Sequence, residues 1–211
     1  MLIAVFALSA AFTSCDKNND DNNNGNGNGN GNEPEKEWVE IGGAKWATRN
    51  VDKPGTFAAK PEDAGMFYQW NRKIGWSSTD PMTNSNGGTT WDSSRPTGDS
   101  WAKSNDPCPS GWRVPTKEEF ESLLSSGSTW DELNGVNGRF FGSDTEKIFL
   151  PAAGRRSNLS GTLDYVGSQG VYWNSTVISS EGAHGLNFRS ENASMYAYDF
   201  RNGILVRCVK E

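Results

Sequence analysis

The sequence has 211 residues, of which 34% are hydrophobic, and it carries a net charge of −6 at neutral pH. Nine Trp and ten Phe residues indicate a core built from a few large aromatic side chains. The largest basic cluster is the pair Arg155-Arg156, and nucleic acid is not an expected partner because phosphate binding needs a basic face. Beyond the first twenty residues, no apolar stretch is long enough to cross a membrane.

Residues 1–14 have the character of a secretory signal peptide. Residues 2–12 form an apolar run that is shorter than the roughly 20 residues needed to span a bilayer. Two small residues then precede Cys15, and this arrangement resembles the lipobox of bacterial lipoproteins, in which the cysteine is lipidated. No basic residue precedes the run, which suggests that translation starts upstream of Met1. We expect lipidation of Cys15; the alternative is an ordinary signal peptide with an incidental cysteine.

Residues 15–36 are predicted to combine the lipidated cysteine with a disordered Asn/Gly-rich linker. After Cys15 the segment has no apolar side chain, so burial cannot offset the entropy lost on ordering. Such a segment acts as a flexible tether. The acidic residues that follow Cys15 resemble the signal that sends Bacteroidetes-type lipoproteins to the outer face of the outer membrane. We therefore predict an outer membrane lipoprotein, exposed at the cell surface and attached to the membrane through its lipid.

Residues 37–211 are predicted to form one domain with many short strands and long loops. Residues 37–41 and 44–48 alternate in β fashion around two glycines, which predicts a hairpin. The other predicted strands cover residues 66–70, 147–150, 171–177, 185–189, 195–200 and 204–209. Residues 71–107 are rich in turn-forming residues and are predicted to be a long loop pinned by Trp76, Trp91 and Trp101.

One short helix is predicted over residues 117–125. Thr116 and Glu119 have the spacing of a capping box, in which each residue satisfies a backbone N–H of the other. Phe120, Leu123 and Leu124 follow at i, i+3 and i+4 and would form one apolar face.

Cys108 and Cys208 are predicted to form a disulfide bond. The chain has three cysteines, and assigning Cys15 to the lipid leaves one pair, which usually bonds in an oxidising compartment. A bond that closes a loop of about 100 residues contributes about 4.7 kcal/mol in the chain-entropy model. A redox or metal pair is the alternative, but the chain has no C-x-x-C motif and only one histidine, His184. We therefore expect neither a metal nor another cofactor.

Several blocks of sequence, in order, point to one family. They are residues 107–116 (PCPSGWRVPT), 149–156 (FLPAAGRR), 172–176 (YWNST) and 203–210 (GILVRCVK), after an opening at 41–51. Over about residues 38–211 the chain resembles the Fibrobacter succinogenes major paralogous domain. The resemblance implies a C-type-lectin-like fold: a small α+β core with paired N- and C-terminal strands, and a long loop excursion that carries the binding surface. It also implies a bacterial cell-surface setting and no known reaction.

Proteins that share the C-type-lectin-like fold suggest alternatives. Formylglycine-generating enzymes need a reactive, copper-binding cysteine pair, whereas Cys108 and Cys208 lie in segments that look structural. The variable proteins of diversity-generating retroelements present a C-terminal stretch rich in exposed Asn, Tyr, Ser and Asp, which residues 184–202 loosely fit. Calcium-dependent lectins use a Trp-Asn-Asp motif, but here Ser175 follows Trp173-Asn174 and removes one carboxylate. A packed core strand is therefore the favoured interpretation of this motif.

A cluster of aromatic, Arg and amide side chains near the end of the chain is the main candidate for a binding site. Tyr and Arg are typical of binding hot spots, and an aromatic face with flanking amides also suits sugars. The Trp-Asn pair of the lectin-like motif is added to this cluster. The candidate residues are then Trp173, Asn174, Arg189, Glu191, Asn192, Tyr196, Tyr198, Arg201 and Asn202. The alternative is plain solvent exposure on a hairpin.

No catalytic residue is predicted. Residues 182–185 around His184 are predicted to form a turn, and the acidic residues at the start of the predicted helix suit its dipole better than a glycosidase site. The predicted function is therefore a non-catalytic binding or adhesion module for a glycan or a surface protein. The alternatives are a structural or tip subunit of a surface appendage, a diversified retroelement-type receptor, and an enzyme of the formylglycine-generating type.

Overall fold

The computed structural model describes residues 36–211, which form a small α+β fold made mostly of antiparallel strands. The predicted signal peptide, Cys15 and all of the predicted linker before Lys36 lie outside the described residues. The described part contains one α helix, α1 (Lys117–Ser125), and one 3-10 helix, Lys103–Asn105. None of its helices is long and apolar enough to span a membrane.

Fourteen short strands form five small sheets in this part of the chain. The strands are β1 (Trp38–Ile41), β2 (Ala44–Ala47), β3 (Phe67–Tyr68), β4 (Gly75–Trp76), β5 (Trp112–Arg113), β6 (Ser128–Leu133), β7 (Val136–Gly142), β8 (Lys147–Pro151), β9 (Arg155–Arg156), β10 (Leu163–Asp164), β11 (Gly170–Ser179), β12 (Gly182–Phe188), β13 (Ala193–Asp199) and β14 (Val209–Lys210). The sheet orders are β1-β2-β14-β5, β3-β4, β6-β7-β8, β9-β10 and β11-β12-β13.

The first sheet joins the two ends of the described chain. Strands β1 and β2 form the predicted hairpin, whose turn residues Gly42 and Gly43 have φ of 59° and 82°, a conformation that glycine adopts without steric cost. Strand β14 pairs antiparallel with both β2 and β5. The predicted disulfide between Cys108 and Cys208 is confirmed, with a Cα–Cα distance of 6.1 Å. It ties the segment before β5 to the residue that precedes β14.

Helix α1 has the bounds that the sequence predicts. The capping box is formed: Glu119 N donates to Thr116 Oγ1 at 3.3 Å, and Thr116 N donates to Glu119 Oε2 at 2.7 Å. Phe120 is fully buried, with its ring centroid 5.0 Å from that of Trp46 in β2. The apolar face of the helix therefore packs against the first sheet.

The long loop over residues 71–107 is held by aromatic side chains, as predicted. Trp76 is buried and its ring centroid lies 4.9 Å from that of Trp91, whose Nε1 donates to the carbonyl of Asn158. Trp101 packs edge-on against Trp70, with 5.6 Å between ring centroids. These rings belong to the core or lie against it, so they do not form a separate binding surface.

Two predictions about local structure are wrong. The predicted strand over residues 204–209 is reduced to β14 at its end, because Ile204 and Leu205 form isolated bridges to Tyr68 and Tyr172 in other sheets. The predicted turn around His184 is instead the middle of β12, where His184 lies opposite Ala197 of β13. The turn of this hairpin lies just before Gly182, two residues earlier than the predicted turn.

Candidate functional site

An open groove of about 470 Å³ lies on one face of the β11-β12-β13 sheet. Its lining residues come from the β9–β10 region and from the neighbouring strands β12 and β13 with the turn between them. They are Arg155, Tyr165, Gln169, Asn187, Arg189, Asn192, Ser194, Tyr196 and Tyr198. Ser194, Tyr196 and Tyr198 share this face because alternate residues of a strand point to the same side. Asn187 lies directly opposite Ser194, which brings the two strands' polar side chains together.

Two tyrosines of β13 form the aromatic part of the groove. Tyr196 is 59% exposed, whereas Tyr198 is only 5% exposed and forms the floor. Their rings pack edge to face with 5.4 Å between centroids. Burial raises the pKa of Tyr198 to about 12, so its hydroxyl is neutral and can donate a hydrogen bond at physiological pH.

A third tyrosine, Tyr165, stands at the rim and was missed in the sequence analysis. It is 48% exposed and has a φ of 62°, which is uncommon for a residue with a side chain. Its carbonyl accepts hydrogen bonds from the backbone N–H groups of Ser168 and Gln169, both at 3.1 Å, and from Ser168 Oγ at 3.0 Å. Local bonds therefore fix the backbone of this turn, which keeps the exposed ring at the rim of the groove.

Two arginines lie close to the Tyr165 ring. The Cζ atoms of Arg155 and Arg189 lie 5.5 and 5.4 Å from its centroid, and Arg155 Cζ also lies 5.7 Å from the centroid of Tyr198. These are cation–π distances, which orient the guanidinium groups without neutralising them. Neither arginine forms an ion pair with a carboxylate of residues 36–211.

Polar atoms of the groove are left without partners in the described chain. Gln169 is 5% exposed, and its Nε2 donates to Asn187 Oδ1 at 2.6 Å, yet its buried Oε1 accepts no hydrogen bond. Arg155 Nε is likewise buried without an acceptor. Buried polar atoms are normally paired, so these two atoms are exceptions that lie just below the surface of the groove.

The backbone fixes the position of Arg189 although its side chain is exposed. Its N–H donates to the carbonyl of Asn192 at 2.9 Å, and its carbonyl accepts from Arg139 Nη1 at 2.6 Å. Asn192 lies in the same turn and lines the groove, whereas Glu191 is exposed outside it. A hydrogen bond from the Ser190 hydroxyl lowers the pKa of Glu191, so this carboxylate is ionised at neutral pH.

Four further candidate residues, besides Glu191, lie outside the groove. Trp173 and Asn174 are fully buried: Trp173 Nε1 donates to Tyr68 O, and Asn174 Oδ1 accepts from Thr176 N, as expected for a core strand. Arg201 forms a salt bridge with Asp199 at 2.7 Å. Asn202 is 5% exposed, beneath the same turn. The structure therefore groups Arg189, Asn192, Tyr196 and Tyr198 and separates the rest of the set.

Sequence patterns contain part of the signal for the residues that were missed. Asn187 and Arg189 lie on either side of Phe188 in the sequence. Because alternate residues of a strand point to the same side, the sequence predicts that Asn187 and Arg189 share one face. Tyr165 precedes Gly167 and Ser168, a combination typical of turns. Nothing local indicates that Arg155 and Gln169 join this face, since the contact depends on the packing of β9 beside β11.

The fold and the groove define a class only: a disulfide-bonded, β-rich domain with an open aromatic and basic groove. No protein-family model, curated protein or solved structure matches the chain. No group of three or more His, Cys, Asp or Glu side chains that could hold a metal ion occurs among residues 36–211.

Proposed function

We propose that this protein is a non-catalytic binding module for a glycan, displayed at the cell surface through lipid on Cys15. The observation that carries the proposal is the groove, in which exposed tyrosine rings stand beside amide and guanidinium groups. Such a groove is shallow and open, so it suits an extended chain that passes over the surface better than an enclosed small molecule.

The chemistry of a sugar matches these side chains. A sugar ring presents C–H groups on its faces and hydroxyl groups around its edge. The exposed rings of Tyr165 and Tyr196 can cover an apolar face, and the amides of Gln169, Asn187 and Asn192 supply donors and acceptors for hydroxyl groups. The fixed turn at Tyr165 lowers the entropy lost on binding.

The proposed fold is C-type-lectin-like, with membership of the Fibrobacter succinogenes major paralogous domain family. Two features support it: β14 pairs with β2, so the terminal strands are neighbours, and a disulfide joins the chain's end to the segment before α1. The resemblance implies a binding surface on a long loop excursion, whereas the groove is lined by β12, β13 and the β9–β10 region. The proposed location is the outer membrane surface, for which the lipobox-like segment before Cys15 is the support.

One alternative has a specific observation in its favour, and another has one against it. Six groove residues, from Asn187 to Tyr198, fall within residues 184–202, the stretch that loosely fits a diversified retroelement-type receptor. Against a formylglycine-generating enzyme, Cys108 and Cys208 are bonded to each other, and Cys208 is fully buried. For a structural or tip subunit of a surface appendage, nothing in the described chain offers comparable support.

A glycan array probed with the full-length protein, purified in detergent, tests the proposal. Binding to one or more glycans is expected, and the exposed Tyr196→Ala should abolish it. The matched control is Leu159→Ala, which removes a 68% exposed side chain that does not line the groove. If no glycan binds, or if Tyr196→Ala and Leu159→Ala bind alike, the proposal fails. Co-purification with appendage subunits in the absence of glycan binding would favour the structural alternative.

A further inference from the structure

The charge of the groove is opposite to that of the whole chain. The chain carries a net charge of −6, yet the groove lining contains Arg155 and Arg189 and no acidic residue. Elsewhere in the described chain, Arg95 forms ion pairs with Glu181 and Asp199, and Arg201 forms one with Asp199. Two guanidinium groups beside one ring, neither of them in an ion pair within this part of the chain, therefore make the lining of this groove basic. Glu191, whose pKa the charge of Arg189 helps to lower, is not part of that lining.

The geometry favours an anion that is planar or compact. A guanidinium group presents donors in a fixed fork that matches a carboxylate in a bidentate manner. Stacking on Tyr165 and Tyr198 restricts Arg155, and buried Arg155 Nε still lacks an acceptor. An anionic oxygen in the groove can accept from the terminal N–H groups of the same guanidinium. Gln169 and Asn187 add amide groups to the lining, and amide groups can bond to sugar hydroxyls.

We propose that the ligand of this groove is an anionic saccharide, whose acidic group is bound between Arg155 and Arg189 while its hydroxyl groups bond to Gln169 and Asn187. This inference rests on the proposed glycan-binding function and narrows it to a chemical class. A carboxylate and a sulfate ester offer the same chemistry to a guanidinium, so the experiment includes both.

The probes are polymers in matched pairs that differ in charge alone. Polygalacturonate is compared with its carboxyl-reduced form, and dextran sulfate with dextran; poly-L-glutamate is a polyanion without sugar. Affinities for the full-length protein are measured by surface plasmon resonance in about 0.15 M salt, where long-range attraction is screened. We expect at least one acidic polysaccharide to bind at least about ten-fold more tightly than its neutral partner, and poly-L-glutamate to bind much more weakly.

The variants separate the site from general charge. Arg189→Gln removes an exposed guanidinium and should weaken binding of the acidic polymer about ten-fold or more, the effect of a hydrogen-bonded charge. Lys53→Gln removes one charge from an exposed position outside the groove and should change the affinity less than two-fold. Arg155→Gln is a second test of the affinity for the acidic polymer. Its thermal unfolding is measured as well, because this side chain is partly buried.

The possible results of these binding measurements distinguish failure of the anionic ligand from failure of glycan binding. Equal binding of acidic and neutral partners, or equal effects of Arg189→Gln and Lys53→Gln, would overturn the anionic ligand and leave glycan binding intact. Poly-L-glutamate binding as tightly as the polysaccharides would overturn the saccharide. If neither these polymers nor the array glycans bind, the proposed function itself is overturned.

Discussion

The Oδ1 atom of Asn50 accepts two hydrogen bonds from the guanidinium group of Arg207, at 2.9 Å from Nε and 2.8 Å from Nη2. Both residues are fully buried. The carbonyls of Ala47 and Phe149 accept the remaining bonds at 3.0 Å, so a charged side chain sits in the core without a carboxylate partner. Burial lowers the pKa of Arg207 to about 10, which leaves the group charged at neutral pH.

We predict that Asn50→Ala lowers the free energy of unfolding by about 3 kcal/mol or more. The substitution leaves two buried N–H groups of a cation without acceptors, and each hydrogen bond to a charged group contributes about 1.5–3 kcal/mol. It also removes the donor to Tyr172 Oη. Chemical denaturation checks this, with the exposed Asn86→Ala as the control, expected within about 0.5 kcal/mol of the parent. Equal stability of the two variants would contradict the prediction.

The Cys108–Cys208 bond closes a loop with a sequence separation of 100 residues. Opening it should destabilise the protein by about 2–5 kcal/mol, because the unfolded chain regains the entropy that the cross-link removes. Guanidinium unfolding with and without a reductant measures the difference. The double variant Cys108→Ala/Cys208→Ala should unfold at a lower guanidinium concentration than the oxidised parent, both with and without the reductant. If the unfolding midpoint of the parent protein is the same with and without the reductant, the bond has no stabilising role.

Local patterns predicted the elements that depend on local bonds. The capping box of Thr116 and Glu119 and the glycine turn of the β1–β2 hairpin each need only residues that are close in sequence. The hairpin of β6 and β7 was not predicted, although Asn134-Gly135, with φ of 51° and 85°, is a strong turn signal. The segment 204–209 was mispredicted because its bridge partners, Tyr68 and Tyr172, are distant in sequence.

The same reasoning explains how much of the site was predictable. Tyr196 and Tyr198 follow from composition and strand alternation, but their different burial does not, since it depends on what packs against each ring. The candidates Trp173 and Asn174 are buried because β11 runs through the core, which a motif of three residues does not reveal. Arg155 and Tyr165 join the groove only through the tertiary arrangement.

The two tyrosines of β13 should respond differently to truncation. Tyr196→Ala removes a 59% exposed ring and should change the free energy of unfolding by no more than about 0.5 kcal/mol, while binding is lost. Tyr198→Ala removes a 5% exposed ring and should cost about 3 kcal/mol. Denaturation of both variants, together with the glycan assay, tests this. A strongly destabilised Tyr196→Ala would mean that its ring has a structural role.

Gly154 should control the position of Tyr165. It has a φ of 76°, and an added Cβ would lie 2.0 Å from the carbonyl oxygen of Asp164. We therefore expect Gly154→Ala to cost at least about 2 kcal/mol, since the side chain adds a backbone clash to the strain of a left-handed residue. Hydrogen exchange of the Ser168 and Gln169 amides, which donate to Tyr165 O, should accelerate.

Gly43→Ala is the matched control for that clash. Gly43 also has a positive φ, 82°, but nothing lies within 4 Å of an added Cβ. This variant should lose only about 1 kcal/mol of the free energy of unfolding, because it carries the strain of a left-handed residue without a clash. Hydrogen exchange of the Ser168 and Gln169 amides should not change. If both glycine variants behave alike, steric contact with Asp164 does not hold the Tyr165 turn.

His184 should make stability depend on pH. Burial, with a smaller effect from the charge of Lys117, lowers the pKa of His184, and its Nδ1 is buried without a partner. The unfolded chain then binds the proton more readily than the folded protein. The contribution of neutral His184 is therefore complete above about pH 6.5 and is lost as the pH falls from that value towards the folded pKa.

Comparison with His184→Gln isolates this effect from the carboxyl groups, which titrate in both proteins. The difference in free energy of unfolding, parent minus variant, should fall when urea unfolding is repeated at pH 5.0 instead of 7.5. Lys117→Gln should narrow the pH range of the effect, because removing this cation lets the pKa of His184 rise towards its ordinary value while Glu121 continues to raise it. A parent protein that gains stability relative to His184→Gln at low pH would show that His184 is held in its charged form instead.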